Sequence, residues 1–596
     1  MCDRLPVHFT VTQHAKDAEP RWINQLREKK MKPEMKPSMH LRTVSFLDVC
    51  SIRPVSLAAM LCLALASASA VADSDHDATL LVSSSRYAGN VATVIPGVTV
   101  TGGVTAAYDG SLPNVFLNEI ADPSFGITSG ISLEAFDIDD PSREGRAPFR
   151  APRLVGVLDI SAAAKALGTP MSTSFPSKSE LALHVSTDGR FVSFMGYGSP
   201  INQLDVSNSN TPGVLDASNP VTSTVPRAIA DVSLDDGALA ITYVNAYSGN
   251  NGRGTVLANG THYMVGNAGN SGKNVSNSVL DELSANTGVQ ALDKKSASST
   301  GGVYATSVVG QPSCSSCAGT GKGYQFGFSI SQLGLPADKT GKDDNFRGLT
   351  VFNGTLYVTK GSGSNGVNTV YQVGPAQALA GGHALVAQNA LISILPGFNT
   401  TLAKTAVGGP NPFGIWFANP TTLYVADEGD GVIADAATSS FAGLQKWTFD
   451  GTQWKLAYVL KNGLNLGVNY TVTGGLNADG SVNPRGNRNT YTTATDGLRN
   501  ITGRVNADGT VTLYAVTSTV SSGTGDQGAD PNKLVRITDK LAYTSAGQAL
   551  DERFAELRTA EYGQVLRGVA VASLRAEKWR GHLGEGRDAG EDRSRD

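Results

Sequence analysis

Four arginines are the residues that point most directly to chemistry, because each begins a predicted strand. They are Arg227, Arg347, Arg499 and Arg567. If these strands belong to like units around one axis, the guanidinium groups converge there and could bind an anion through paired hydrogen bonds. Structural pairing is the alternative, since Asp344 and Asp496 each precede one of these arginines by three residues. The pattern predicts either a ligand-binding ring or a set of ion pairs.

A second set of candidates has the oxygen atoms that a metal ion needs. Asp427 and Glu428 follow a predicted strand, and Asn353 lies in a turn of another unit. Hard cations such as Ca²⁺ take about six to eight oxygen ligands from carboxylate, amide and main-chain groups. Solvated turn carboxylates are the alternative, because no motif here specifies a metal. Ca²⁺ is therefore the one cofactor that these residue types suggest.

The cysteines favour a structural bridge. Cys2, Cys50 and Cys62 precede the predicted fold, which leaves only Cys314 and Cys317 within it. Their CxxC spacing suits a redox pair, half of a zinc site or a local disulfide. No second pair or nearby histidine completes a zinc site, and the Gly/Ser flanks lack the helix start of a redox motif. We predict a disulfide that closes a loop.

Other chemical patterns are missing from the sequence. It contains no HxH, HExxH or GxSxG motif, and residues 318–323 lack two of the positions that define a phosphate-binding loop. The net charge is -4, without a clustered Lys/Arg stretch in the body of the chain. Because nucleic-acid binding needs a basic surface, we predict no nucleic-acid partner.

Residues 345–373 show the unit that must position these candidates. This segment reads as three strands, rich in β-branched and aromatic residues, with a tight Asn-Gly turn after the first. The same order returns at 413–460 with a fourth strand. Residues 79–83 resemble a second strand without a first, and residues 566–571 a first strand without a second, so the two ends should complete one blade. Repeated four-stranded units predict an all-β, single β-propeller.

Weaker units set the expected blade count. The 67 glycines and the 17% of charged residues suit many short strands joined by turns. Hairpins at 181–197 and 227–243, a unit at 499–537 and weaker units at 114–138 and 303–330 raise the count to about seven blades, with six or eight also compatible. Three Gly/Asn-rich stretches are predicted as long loops on one face: 245–273, 285–302 and 465–496.

Two strands carry a family resemblance. Residues 356–362, followed by Asn365 and the strand 370–373, resemble the YVTN-type propeller repeat, and residues 423–429 are similar to a strand of NHL-type and lactonase-type propellers. The resemblance implies the blade fold. These families include binding scaffolds, metal-dependent lactonases, phosphatases and quinone-dependent dehydrogenases, so it does not select one function. Lactonase-type propellers hold a channel ion with Glu, Asn and Asp, which by resemblance implicates Glu428 and Asn353.

The two ends of the chain differ from its body. Residues 1–52 are basic and unpatterned, so we exclude them from the fold. Residues 53–72 combine an arginine, an apolar run and a small-residue series, which predicts a signal peptide cleaved after Ala70 or Ala72. An uncleaved anchor helix is the alternative. The propeller is expected at 73–572, and the charged tail 573–596 is expected to be disordered.

From these features we expect an exported protein, secreted or periplasmic, with no membrane span after signal removal. Its predicted function is to bind a carbohydrate, a small molecule or a protein partner through its loop face. The alternative is a Ca²⁺-dependent hydrolase of the lactonase or phosphoesterase type, with the metal at the channel mouth. The motifs specify the blade more than the chemistry, so the ligand is not identified.

Overall fold

The computed structural model describes the greater part of the predicted propeller. The described residues are 77–87, 127–138, 152–310 (except 204–205, 218, 220, 222, 270–281 and 284), 343–473 (except 383, 389 and 407), 490–520, 528, 530–574 (except 562) and 579. Within them, six sheets surround a central channel. We call these sheets blades I to VI. The predictions for Cys314, Cys317 and residues 1–72 concern positions outside the described residues.

The strands are numbered in chain order. Blade I contains β1 (Asp77–Arg86), β2 (Thr128–Asp137), β3 (Arg153–Asp159), β4 (Thr173–Ser174) and β28 (Gln564–Leu574). Blade II contains β5 (His184–Val185), β6 (Phe191–Tyr197), β7 (Arg227–Ser233) and β8 (Leu239–Val244), extended at its outer edge by β12 (Ser299–Thr300) and β13 (Val303–Tyr304). Blade III contains β9 (Gly252–Ala258), β10 (Thr261–Gly266), β11 (Gly288–Asp293) and β14 (Ser307–Val309).

The second half of the chain forms the other three blades. Blade IV contains β15 (Leu349–Phe352), β16 (Thr355–Lys360), β17 (Thr369–Val373) and β18 (Ile392–Ile394). Blade V contains β19 (Pro412–Asn419), β20 (Thr422–Asp427), β21 (Gly443–Phe449) and β22 (Trp454–Leu460). Blade VI contains β23 (Asn469–Thr473), β24 (Thr490–Val505), β25 (Thr510–Val520), β26 (Lys533–Lys540) and β27 (Ala555–Thr559). Two short helices connect strands: α1 (Ile160–Ala166) and α2 (Ile433–Ala436).

The predicted closure is confirmed. β28 is the innermost strand of blade I and pairs antiparallel with β1 along its length, from Asp77 opposite Leu574 to Arg86 opposite Gln564. The end of the chain thus supplies the first strand of the blade that the beginning of the fold continues. This arrangement removes the free sheet edge that an open array would expose.

The blade count is six, the lower end of the predicted range. The hairpins at 181–197 and 227–243 were counted as two units, but β6 pairs with β7 in register from Phe191 opposite Ser233 to Tyr197 opposite Arg227. They are therefore two halves of one blade. The 29 residues between them contain no strand of the sheet, only a short 3₁₀ turn and isolated bridges among the described positions, which hides the pairing in the sequence.

The predicted long loops are partly wrong. Residues 245–273 contain β9 and β10, the inner hairpin of blade III, joined at Asn259-Gly260, where both φ values are positive (52° and 82°). That geometry is the tight hairpin turn that Asn-Gly favours. β11 lies within 285–302, and the start of β24 lies within 465–496. Glycines inside these strands interrupt the alternation that would have identified them.

Each contact between neighbouring blades has its own hydrophobic cluster. Blades I and II share the cluster around Phe194, blades III and IV the one around Tyr371, and blades V and VI the one around Leu444. Three further clusters lie between II and III, IV and V, and VI and I. The fold is a six-bladed β-propeller whose core is divided into six inter-blade layers.

One described residue beyond the last strand, Trp579, packs against blades I and II. Trp579 lies in the segment expected to be a disordered tail, yet its side chain is buried in the cluster between blades I and II. Its Nε1 atom donates a hydrogen bond to the Leu234 carbonyl oxygen at 3.2 Å.

Candidate functional site

Three of the four predicted arginines lie at one end of the central channel. Arg499 and Arg567 are on the inner strands β24 and β28, and Arg347 lies two residues before the inner strand β15. Arg253, on the inner strand β9, joins them and was not predicted. We call this end of the channel the arginine end. Phe413 occupies the corresponding position in blade V, so the ring is incomplete.

Arg227 is placed elsewhere. It begins β7, the third strand of blade II, rather than an inner strand, and it is fully buried. Its guanidinium donates hydrogen bonds to main-chain carbonyl oxygens and stacks over the Tyr197 ring, with 5.1 Å to the ring centroid. Burial lowers the pKa of Arg227 to about 10. This arginine anchors loops and is not part of the arginine end.

One short segment, residues 175–179, lies across the arginine end and contacts charged side chains from three blades. Arg567 donates to the Phe175 carbonyl oxygen, and Arg347 donates to the Ser179 hydroxyl. Lys178, between them, lies 3.4 Å from Glu428 Oε2. The segment 175–179 precedes β5 and therefore brings groups from blades I, IV and V together. No local sequence pattern predicts it, because its partners are distant in the chain.

Glu428 lies at the centre of this arrangement. It follows β20 in blade V and is 3% exposed. Its Oε2 atom contacts Lys178 and, at 3.3 Å, Arg499 Nε. Its Oε1 atom is buried and has no hydrogen-bond partner among the described residues. Because buried carboxylate oxygens are normally paired, this atom is the strongest indication of a ligand at the arginine end.

The adjacent carboxylate has a different role. Asp427 Oδ2 accepts hydrogen bonds from the Asn411 amide at 2.7 Å and from Gln445 Nε2 at 2.9 Å, and its Oδ1 accepts from the Gly429 amide at 3.1 Å. Burial raises the pKa of Asp427 to about 7 despite these donors. Both oxygens are already engaged, so Asp427 fixes the loop that presents Glu428.

The predicted metal ligands do not converge. Asn353 lies in the β15–β16 turn with a φ of 46°, at the opposite end of β15 from Arg347, and therefore away from Asp427 and Glu428. Across the described ranges, no group of three or more His, Cys, Asp or Glu side chains is placed to hold a metal ion.

A pocket of about 350 Å³ opens beside Glu428. Blades IV, V and VI and the segment 175–179 form its walls. Six of the lining residues illustrate its character: Lys178, Gly361, Asn368, Gly409, Asn411 and Asp496. At the glycines only main chain lines the pocket, and the other four named residues have polar or charged side chains. The pocket is thus lined mainly by hydrogen-bonding groups.

The other end of the channel contains a second cavity, of about 260 Å³. All six inner strands contribute to it, and its walls combine polar groups such as Thr350 and Asn500 with apolar side chains such as Trp416. His184 also lines it, and burial lowers the pKa of this histidine to about 4. The imidazole is therefore neutral in the folded protein at neutral pH.

We expect His184 to make the protein sensitive to acid. Its folded pKa lies below the ordinary value of 6.5, so this contribution to stability is complete above pH 6.5 and is lost as the pH falls towards 4. One such group changes the free energy of unfolding by up to about 1.4 kcal/mol per pH unit. In urea unfolding between pH 7 and 4, His184→Gln should lose less stability than the wild type. Equal losses would contradict this assignment.

Comparisons with known proteins add the following findings. No protein-family model matches the chain, and no curated protein does. The chain is therefore not assigned to the YVTN or NHL repeats. Among solved structures, the N-terminal domain of Nup159 has 9% sequence identity and a TM-score of 0.25, and the match covers 84% of this chain and 96% of that one.

A polysaccharide lyase of family PL25, an ulvanlyase, has 11% identity and a TM-score of 0.25, covering 77% of this chain and 95% of that chain. At these scores neither likeness carries an argument about function. No helix among the described residues is long and apolar enough to span a membrane.

Proposed function

We propose that this propeller is an exported binding protein that takes a neutral, hydroxyl-bearing ligand, a mono- or disaccharide, in the pocket at the arginine end. The observation that carries the proposal is the buried Oε1 atom of Glu428, which has no hydrogen-bond partner among the described residues. An ionised carboxylate only accepts hydrogen bonds, so the missing group must be a donor. A sugar hydroxyl is such a donor. The export component rests on the signal-peptide pattern alone.

The charges support a neutral ligand. Lys178 and Arg499 both lie against the same oxygen of Glu428, so this carboxylate already has cationic partners. Asp430 and Asp496 also line the pocket, which disfavours an anionic ligand. A hydroxyl group can donate to Glu428 and accept from main-chain amides without adding charge.

The size of the pocket agrees with a small ligand. Its volume of about 350 Å³ lies near the lower end of the range of about 300 to 1,000 Å³ that is usual for ligand sites. The Ca²⁺-dependent hydrolase finds no supporting observation, because Asn353 is at the other end of its blade and Asp427 is engaged by three donors.

Glu428→Gln should weaken saccharide binding by about 10- to 150-fold, because a hydrogen bond to a charged acceptor contributes about 1.5 to 3 kcal/mol. A glycan array identifies the saccharide, and titration calorimetry compares the variants. Glu561→Gln is the matched control, since this glutamate is exposed and pairs with Arg86 away from the pocket. If no neutral saccharide binds, or if Glu428→Gln binds like the wild type, the proposal is wrong.

A further inference from the structure

A lysine and an aspartate lie in contact between blades V and VI, sealed from water. Lys446 is on β21 and Asp539 is on β26, and both side chains are completely buried. The Lys446 Nζ atom is 2.8 Å from Asp539 Oδ2. It also donates to the Tyr458 hydroxyl at 3.0 Å and to the carbonyl oxygens of Lys540 at 2.8 Å and Leu541 at 3.3 Å. An amine and a carboxyl group are thus held together at a fixed position.

The groups around Asp539 are those that would assist a reaction at its carboxyl carbon. The Tyr424 hydroxyl donates to Oδ2, and the Tyr458 hydroxyl donates to Oδ1 at 2.5 Å. Burial raises the pKa of both phenols, so they remain donors. Burial and the neighbouring Asp539 raise the pKa of Glu552 to about 8, which keeps it protonated at neutral pH. As a protonated carboxyl group, Glu552 can hydrogen-bond the Asp539 side chain beside it.

We propose that Lys446 and Asp539 condense into an intramolecular amide bond that joins blade V to blade VI. A proton first moves from the ammonium to the carboxylate along their 2.8 Å contact, which gives a neutral amine and a carboxylic acid. The Nζ lone pair then attacks Cγ. The Tyr458 hydroxyl stabilises the charge that develops on Oδ1, while the Tyr424 hydroxyl holds Oδ2, the oxygen that leaves. Glu552 gives its proton to the departing hydroxyl and takes one from the nitrogen. One amine and one acid yield one amide and one water, so no oxidant is needed.

Two physical features of the site favour the amide. A buried ion pair keeps the desolvation penalty of both charges, whereas the amide carries no charge. Groups fixed in contact also react as if at very high concentration, with effective molarities of about 10⁵ to 10⁸ M in well-oriented cases. In the product, the remaining N–H can still donate to the Lys540 carbonyl oxygen, and the new carbonyl oxygen can still accept from Tyr458.

A second lysine–aspartate pair in this chain is exposed to water and can be compared with the buried pair. Lys455 and Asp450 make the same kind of contact, with 2.9 Å between Nζ and Oδ2, but their side chains are 60% and 32% exposed. Asp450 accepts its other hydrogen bonds from Thr452 and Gln453 at the β21–β22 turn, and no tyrosine hydroxyl donates to it. Water access and the missing donors should leave this pair unlinked.

The test is peptide mapping of the full-length chain, denatured and digested with trypsin, by tandem mass spectrometry. We expect a branched peptide that joins the Lys446 segment to the Asp539 segment, lighter than their sum by one water, with no cleavage after Lys446. Lys455 should be cleaved normally. Glu552→Gln keeps the size of the side chain but cannot relay the proton, so linkage should slow by at least about a hundredfold. Lys446→Arg supplies the unlinked reference.

Gel migration gives a second readout, because an internal link keeps the denatured wild type more compact than Glu552→Gln. Cleavage after Lys446 together with only linear peptides from the wild type would overturn the proposal and show an ordinary buried ion pair. Equal linkage in the wild type and in Glu552→Gln would overturn the role of Glu552. The peptide map of the wild type shows whether the amide bond forms, even if a variant does not fold.

Discussion

Replacing Arg227 with alanine is expected to lower the free energy of unfolding by at least about 4 kcal/mol. The guanidinium is fully buried, and it donates to the carbonyl oxygens of five residues: Ser207, Ser209, Val225, Tyr247 and Asn250. Each buried acceptor left without a donor costs about 1 to 3 kcal/mol, and the truncation also leaves a cavity. The loss should appear in urea unfolding as a lower midpoint.

Two variants make the Arg227 result specific. Arg227→Lys keeps the charge but lacks the planar fork, so it should recover only part of the loss. Arg86→Ala is the control, because its pair with Glu561 is exposed and such pairs contribute about 0 to 1 kcal/mol. Wild-type stability in Arg227→Ala would show that the guanidinium does not anchor these loops.

Replacing Gly348 with alanine is expected to destabilise the protein by about 3 kcal/mol or more. An added Cβ would lie far inside van der Waals distance of the Phe413 carbonyl oxygen, which belongs to the neighbouring inner strand. That oxygen is also held by the Thr359 hydroxyl at 2.5 Å. Overpacking commonly costs about 1 to 3 kcal/mol, and a clash with main chain in a closed ring is at the upper end.

The same close approach recurs around the channel, at Gly414 against Arg499 and at Gly568 against Leu181. Gly130→Ala is the matched control, because nothing lies within 4 Å of its added Cβ. It should leave stability unchanged or raise it by up to about 1 kcal/mol. If Gly348→Ala and Gly130→Ala unfold at the same urea concentration, the inner strands are not packed as described.

The sequence predicted those parts of the fold that local patterns determine. The strands β15 to β17 and β19 to β22 are rich in β-branched and aromatic residues, and they were found as expected. Short turns join β15 to β16, β19 to β20 and β21 to β22. The closure was also predictable, because each end of the fold carries the half-blade that the other lacks. Blade II was divided in two because the segment between β6 and β7 has no strand pattern, and β9 was missed because glycines interrupt it.

The candidate site was predicted less completely, because the residues that form it come from different blades. Glu428 was singled out, but its contacts with Lys178 and Arg499 join residues far apart in the chain. Arg253 could have been found from the Arg-Gly dipeptide that it shares with Arg347 and Arg567, although Arg499 precedes an asparagine. Arg227 precedes an alanine, and it is the one predicted arginine that lies on another strand.

A crystal structure of the protein with its best neutral saccharide tests the central claim most directly. We expect the sugar in the pocket at the arginine end, with one hydroxyl within hydrogen-bond distance of Glu428 Oε1 and others on the main-chain groups of the glycine-rich walls. A saccharide bound in the cavity beside His184, or on an outer blade surface, would contradict the claim that Glu428 marks the ligand site.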